Sequence, residues 1–264
     1  MTHIPTVTPS STRSTVHGQS QRPHFSNSEE VADAAVSQSQ LQSRFQSFPI
    51  SLATMREFLS VALICDALDS IGLRQQSPRL EFKQLTVGSN LLIGRAKTTL
   101  WADMAHVDPE PYKLELQAID SAQLDDIIIC AAQGSMRSGI WGELLSSAAR
   151  NRGCVGVIVE GAVRDVAKMR EMNFPVYARG TSPYDSRDRQ RVIDYDVAIE
   201  MGGVPIQPGD LIAADDDGLV IVPQSVEIDV IQRAWDKVHA ENKVRDAVRG
   251  GMSATEAFAT FGVL

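Results

Sequence analysis

Histidine is scarce where chemistry would want it. Five occur in 264 residues, and His3, His17 and His24 fall near the start, leaving only His106 and His239 for the rest of the chain. A histidine-rich zinc centre is therefore not expected. Cysteine is scarcer still. Cys65, Cys130 and Cys154 lie in apolar contexts, and no C-x-x-C pair occurs. An odd number so placed argues against a disulfide framework and for a reducing, cytoplasmic setting. Basic stripes are missing as well. The formal net charge is −8 and the sequence pI about 5.1. Nucleic acid is accordingly not an expected partner. No apolar run approaches the roughly 18 residues needed to span a bilayer, so no membrane partner is expected either. The start also lacks the apolar core of a secretory signal.

What remains is ample for a packed core, since 43% of the residues are hydrophobic. Residues 1–45 stand apart. They are rich in Ser, Thr and Gln, and their first acidic residue is Glu29. A disordered extension is the expectation. A transit peptide shares the Ser/Thr bias and the lack of acids, but only Arg13 and Arg22 supply basic charge before Glu29. The folded domain is expected over 51–264.

Periodicity organises that domain. TMREFLSVALICDALDSIG (54–72) places Leu59, Leu63, Leu68 and Ile71 at helical spacing and ends on a glycine, which predicts one helix. LLIGRAKTTLWA (91–102) reads as a strand and YKLELQAIDSAQ (112–123) as a helix. From 125 the pattern becomes β-α-β-α-β. DDIIICAA is a buried strand, GELLSSAARNRG (142–153) a helix, CVGVIVEG (154–161) a strand, DVAKMREMN a short helix and FPVYARG a strand. Such alternation calls for parallel strands with right-handed crossovers, an α/β fold. The polar stretch 181–198 reads as a loop. GGVPIQPGDLIAADDDGLVIVP (202–223) reads as short strands with tight turns. Residues 226–250 form an amphipathic helix with Val230, Ile231, Ala234, Val238 and Val244 on one face, and SATE (253–256) makes a capping box.

Parallel sheets bind ligands beyond the carboxyl ends of their strands. Two such ends fall close together here: the 133–142 loop leading into GELL, and the turn Gly161–Asp165. The start of the 142–153 helix offers unpaired N–H groups and a positive dipole end, suited to a carboxylate. Gly142 would let a ligand approach the backbone. Arg164 can grip a carboxylate or ketone oxygen with its planar fork. Asp165 and Glu143 are hard oxygen donors, matching Mg²⁺ or Mn²⁺. Each has a plainer reading: Asp165 capping a helix, Arg164 pairing with an acid, Glu143 sitting in a first turn that the dipole favours. Asp215-Asp216-Asp217 reads better as a solvated turn than as a metal cluster. Asp66 and Asp69 read as helix-face acids, His106 as a loop residue, and the cysteines as core.

The string WGELLSSAARNRGCVGVIVEGAVRDVAKMREMNFPVYARG (141–180) resembles a known family. So do GGVPIQPGDLIAADDDGLVIVP, CDALDSIG (65–72) and the pattern A-x-x-x-x-x-x-E-N-K-V-R that begins at Ala234. The family comprises the regulator of ribonuclease activity A (RraA) and the 4-hydroxy-4-methyl-2-oxoglutarate aldolases. The resemblance runs from about Leu59 to the end. It implies a swivelling β/β/α fold in a single domain, and a homotrimer or hexamer with sites between subunits. It also implies a metal-dependent pyruvate aldolase that decarboxylates oxaloacetate. Gly142, Glu143, Leu144 and Leu145 match the substrate-binding turn, Arg164 the substrate-holding arginine and Asp165 the metal-binding aspartate. Glu241 looks like the acid lent by a neighbouring subunit. Members that only regulate a ribonuclease tend to lack the aspartate, so Asp165 favours the enzyme over a non-catalytic regulator. Three positions depart from the pattern. Lys168 stands where an acid is usual, Leu124-Asp125-Asp126 replaces a Gly-Asp turn, and Gly139 replaces an alanine.

Overall fold

A computed structural model describes residues 50–86 and 91–262. The extension expected over 1–45 lies outside the described residues, as do the last two residues of the expected domain.

The chain opens with two helices, α1 (Leu52–Phe58) and α2 (Val61–Ser70), where the periodicity had suggested one. Leu59 and Ser60 are extended, and the Ser60 hydroxyl accepts from Leu63 N at 3.3 Å. Serine offers the backbone this local alternative to a continuing helix. Asp215 strengthens the break from a distance, its Oδ2 accepting from Val61 N at 2.8 Å. Its Oδ1 accepts from Asp217 N at 2.9 Å. The triple aspartate is thus a turn that also caps a helix.

The strands are β1 (Lys83–Gln84), β2 (Leu92–Asp103), β3 (Asp126–Ala131), β4 (Gly156–Val163), β5 (Val176–Thr181), β6 (Gln190–Tyr195), β7 (Ile199–Met201), β8 (Val204–Ile206), β9 (Leu211–Asp215) and β10 (Gly218–Val222). Between them come α3 (Lys113–Asp120), α4 (Glu143–Asn151) and α5 (Val166–Glu171). The chain closes with α6 (Glu227–Arg249) and α7 (Ala254–Phe261). The main sheet runs β1-β5-β4-β3-β2-β9-β10. Strands β2 to β5 are parallel, and β1, β9 and β10 join antiparallel. The expected β-α-β-α-β unit is its centre.

Segment 181–198 is not only loop. It contains β6, which pairs antiparallel with the far half of β2 across a register shift at Leu100/Trp101. Only Val192 of its apolar residues is buried deep while Ile193 is exposed, so the strand carries a weak apolar signal.

Alternation sorts the central strands onto two faces. Ile128, Cys130, Val157, Val159, Val176 and Ala178 pack under α3, α4 and α5. Ile127, Ile129, Ile158 and Tyr177 face the β7–β8 hairpin. Covered on both sides, β3 and β4 are buried at every residue, which is why they read as unbroken apolar runs. A third cluster joins α1, α2 and α6 to β9 and β10. Cys130 and Cys154 are buried core residues, and burial pushes both thiols up to about 12. Among the described residues no helix is long and apolar enough to cross a membrane.

Candidate active site

The loop after β3 does not leave the sheet at once. It runs alongside the end of β4, with Gly139 bridged to Ala162, Ile140 N donating to Ala162 O at 3.0 Å and Arg164 N donating to Trp141 O at 2.8 Å. This pairing carries Gly142 and the start of α4 against the Arg164–Asp165 turn. Trp141 is buried and anchored, its Nε1 donating to Ser146 Oγ at 2.7 Å, while that hydroxyl donates to Gly142 O at 2.9 Å.

Two glycines show how tight the junction is. A Cβ on Gly142 would lie 2.6 Å from Asp165 Oδ2. One on Gly139 would lie 2.6 Å from Ser182 O and 2.9 Å from Arg164 Cβ. The alanine that the resemblance leads one to expect at 139 would have to push the arginine aside. The glycine is therefore part of how this chain seats Arg164.

Asp165 stands at the N-cap of α5 but does not cap it. Its backbone is left-handed (φ 57°), and its side chain makes no capping bond. Instead Oδ2 turns toward Glu143 N, at 3.4 Å, and lies 3.7 Å from Arg164 Nε. A non-glycine residue in this region is uncommon and worth a functional question. The plain capping role is thereby removed.

These groups open on a cavity of about 280 Å³ lined by Gly142, Leu144, Leu145, Arg164 and Asp165, among others. Glu143 is not in its wall. That carboxylate points along α4, where Ser147 Oγ is 3.4 Å from its Oε1. Glu241 lies elsewhere. It sits on α6 near Lys237 and Arg245, and lines another hollow with Asp66. Asp66 itself pairs with Lys237. Lys168 is exposed and pairs with Glu171 at 3.2 Å, outside the cavity lining.

Three residues absent from the sequence reading complete the wall: Tyr112, Glu115 and Asp185. Asp185 Oδ2 pairs with Arg164 Nη1 at 2.9 Å, and its Oδ1 accepts the Tyr112 hydroxyl and Arg187 N, each at 2.7 Å. Burial pushes the Asp185 carboxyl up, but those three donors outweigh it and hold its pKa below the ordinary aspartate value. Burial and the Asp185 hydrogen bond raise Tyr112 to about 12. Glu115 is buried, and that desolvation, with the nearby Asp185 charge, raises it to about 8 against the opposing pull of Arg164. A signal for Glu115 existed. It occupies the core-facing stripe of α3 with Ala118 and Ile119, where an unpaired acid is out of place. Asp185 gave none, being one acid among several in a polar loop.

Among the described residues no three His, Cys, Asp or Glu side chains converge to cage a metal. The donor set nonetheless fits one type of ion. Asp165 presents a half-exposed carboxylate beside an open cavity. Mg²⁺ or Mn²⁺ held by one carboxylate and its own waters suits that, whereas a closed Zn²⁺ site does not.

Fold and cavity define an α/β protein with a cavity at the carboxyl ends of parallel strands, lined by the Arg164 guanidinium and the carboxylates of Glu115, Asp165 and Asp185. The family follows from comparison. Residues 61–221 match the Aldolase/RraA model of the RraA-like group, and the chain belongs to that family. It is 35% identical over 144 residues to a protein of Halalkalibacterium halodurans provisionally named a 4-hydroxy-4-methyl-2-oxoglutarate aldolase, covering 54% of this chain and 68% of the relative. It is 28% identical over 196 residues to protein DlpA of Legionella pneumophila, covering 74% of this chain but only 31% of that longer protein. Among solved structures, Streptomyces coelicolor RraAS2, described as an unusual member of the RNase ES inhibitor RraA family, superposes with a TM-score of 0.63. It is 30% identical, and the match covers 71% of this chain and 91% of that one.

Proposed function

We propose that the chain is a divalent-metal-dependent lyase. It cleaves 2-oxo acids of the 4-hydroxy-4-methyl-2-oxoglutarate type to pyruvate and also decarboxylates oxaloacetate. The observation that carries this reading is the side-by-side placement of Arg164 and Asp165 at the mouth of one cavity, pressed against Gly142.

Asp165 would hold Mg²⁺ or Mn²⁺. When bound, the ion supplies Lewis-acid stabilisation of charge building on the 2-oxo group. Arg164 grips the carboxylate and keto end with its fork and stabilises the negative charge that develops there as the C3–C4 bond breaks. The first-turn N–H groups of α4, which lack intrahelical partners, attract the same anionic end. Transfer of the 4-hydroxyl proton to water turns C4 into the carbonyl of the departing fragment and sends the C3–C4 electron pair into the pyruvate enolate. Protonation at C3 then gives pyruvate, and for Glu143 to orient a proton-carrying water its carboxylate would have to swing from Ser147 toward the cavity. With oxaloacetate the fragment lost is CO₂.

The chain is further proposed to act as a cytoplasmic homotrimer or hexamer, with Glu241 reaching a neighbour's site. Exposed Leu144 and Leu116 at the cavity mouth support burial by a second copy. Residues 1–45 are proposed to be an extension outside the catalytic domain, which occupies 51–264.

The test is pyruvate release from oxaloacetate and from 4-hydroxy-4-methyl-2-oxoglutarate, with Mg²⁺ and with EDTA. Turnover indifferent to EDTA, or surviving in Asp165→Ala, overturns the mechanism. No turnover, together with a stable ribonuclease partner in pulldown, would favour the regulator reading that similarity to RraAS2 keeps in play.

A further inference from the structure

We infer that Tyr112 and Asp185 form a brace that positions Arg164 for substrate, an inference that rests on the lyase reading above. Arg164 reaches the cavity on a long, rotatable side chain, and a guanidinium aids catalysis only when its fork is aimed beforehand. Asp185 supplies the aim. Its Oδ2 takes Nη1 at 2.9 Å, while Asp165 lies 3.7 Å from Nε. With Nη1 held by Asp185, the rest of the planar fork is aimed to meet a substrate oxygen.

Asp185 is itself locked. Tyr112 Oη and Arg187 N both donate to its Oδ1 at 2.7 Å. The loop that bears it is tied on both sides. Ser182 N donates to Val163 O at 3.0 Å, and Gly139 N donates to Tyr184 O at 2.8 Å. Gln190 Oε1 accepts from Ser138 N at 3.0 Å. The loop is thus fastened to both strand ends that form the site.

Tyr112 provides an independent observation. It starts α3 with a left-handed backbone (φ 66°) and no side-chain cap. For a bulky aromatic this is a costly conformation, retained where the surroundings over-determine it. What the conformation achieves here is delivery of the phenol to Asp185. Two left-handed non-glycine residues, Tyr112 and Asp165, therefore flank the arginine, one through its partner and one directly. A capping or loop-stabilising role for Asp185 would need neither the ion pair nor the strained tyrosine.

A different role for the same contact makes an opposite forecast. Were Asp185 only a resting counter-ion that substrate displaces, removing it would tighten substrate binding. A positioning role makes its removal harmful, and harmful only through Arg164.

The experiment is a double-mutant cycle in steady-state kinetics on oxaloacetate and 4-hydroxy-4-methyl-2-oxoglutarate with Mg²⁺. It compares the full chain with Asp185→Ala, Asp185→Asn, Tyr112→Phe, Arg164→Ala and the Asp185→Ala/Arg164→Ala pair. Asp185→Ala is expected to lower kcat/KM about tenfold or more, the scale of a charge-assisted hydrogen bond. Tyr112→Phe, which keeps the ring and the fold, should lower it about threefold to tenfold, the scale of a neutral one. Asp185→Asn should recover part of the loss. The double variant should be no worse than Arg164→Ala alone. A fall in KM in Asp185→Ala, unchanged kinetics in Asp185→Ala and Tyr112→Phe, or additive losses in the pair would overturn the brace while leaving the lyase intact. A wild-type protein that turns over neither substrate overturns the lyase reading, and the brace with it.

Discussion

Asp165 Oδ2 faces Glu143 N at 3.4 Å, across the point where a side chain on Gly142 would stand. A carboxylate from the end of one strand thus meets the first N–H of the helix that follows its neighbour. Only a residue without Cβ permits the contact.

Gly142→Ala follows directly. The backbone of Gly142 is extended (φ −157°), so alanine fits it without strain and the fold should survive. The added Cβ, 2.6 Å from Oδ2, must displace Asp165. Turnover should fall on the order of 10²-fold, the usual cost of a misplacement near 1 Å. Steady-state kinetics beside a thermal melt checks this, and a variant as active as wild type refutes the steric account.

Arg164→Lys keeps the charge and loses the fork. Lysine can still pair with Asp185, but it cannot also offer a second, coplanar donor to substrate. We expect kcat/KM to drop by about 10- to 100-fold, corresponding to one or two charge-assisted bonds at ~1.5–3 kcal/mol. The melting temperature should hold near that of the wild type, because the side chain is partly exposed.

Glu115 gives a pH signature. Its folded pKa, about 8, lies above the ordinary value of 4.5. Between those values the folded protein holds a proton that the unfolded chain releases, so stability falls as pH rises through that window and levels off above it. Glu115→Gln removes this slope. Urea unfolding at pH 5 and pH 8 should show the variant gaining on the wild type by roughly a few kcal/mol at the higher pH. Asp126, Glu160 and Asp210 are also raised, but they are common to both proteins and cancel in the difference. A gap that does not change with pH would place Glu115 in a far wetter setting.

Ser146→Ala tests the wall behind the site. Ser146 is fully buried and bonds both Trp141 Nε1 and Gly142 O. Its loss strands a buried indole N–H, at about 1–3 kcal/mol. Denaturant midpoints should shift accordingly, with activity falling less than in Gly142→Ala.

Much of this site is written locally. Ile127–Ile129 and Val157–Val159 are unbroken apolar runs because both faces of β3 and β4 are covered, and such runs survive inspection of a single sequence. The glycine that opens α4 and the pair Arg164–Asp165 follow those runs at once, so the family pattern could be recognised along the chain. The helix break at Ser60 was harder to see, because a distant acceptor, Asp215, reinforces it. The polar strand β6 leaves little trace in the sequence, because only Gln190 and Val192 of its residues are buried.

The sequence by itself therefore determined the α/β alternation, the family, and the two short segments that carry Gly142, Arg164 and Asp165. These depend on spacing and residue type within a few turns of chain. Tertiary structure decided which acids join them. Glu143, four-square in the motif, points away along its helix, while Glu115 and Asp185 enter from α3 and a polar loop far off in sequence. Side-chain direction, desolvation and ion pairing arise only once distant segments pack together. For the same reason Asp185 is held ionised and Glu115 is pushed toward neutrality within one cavity.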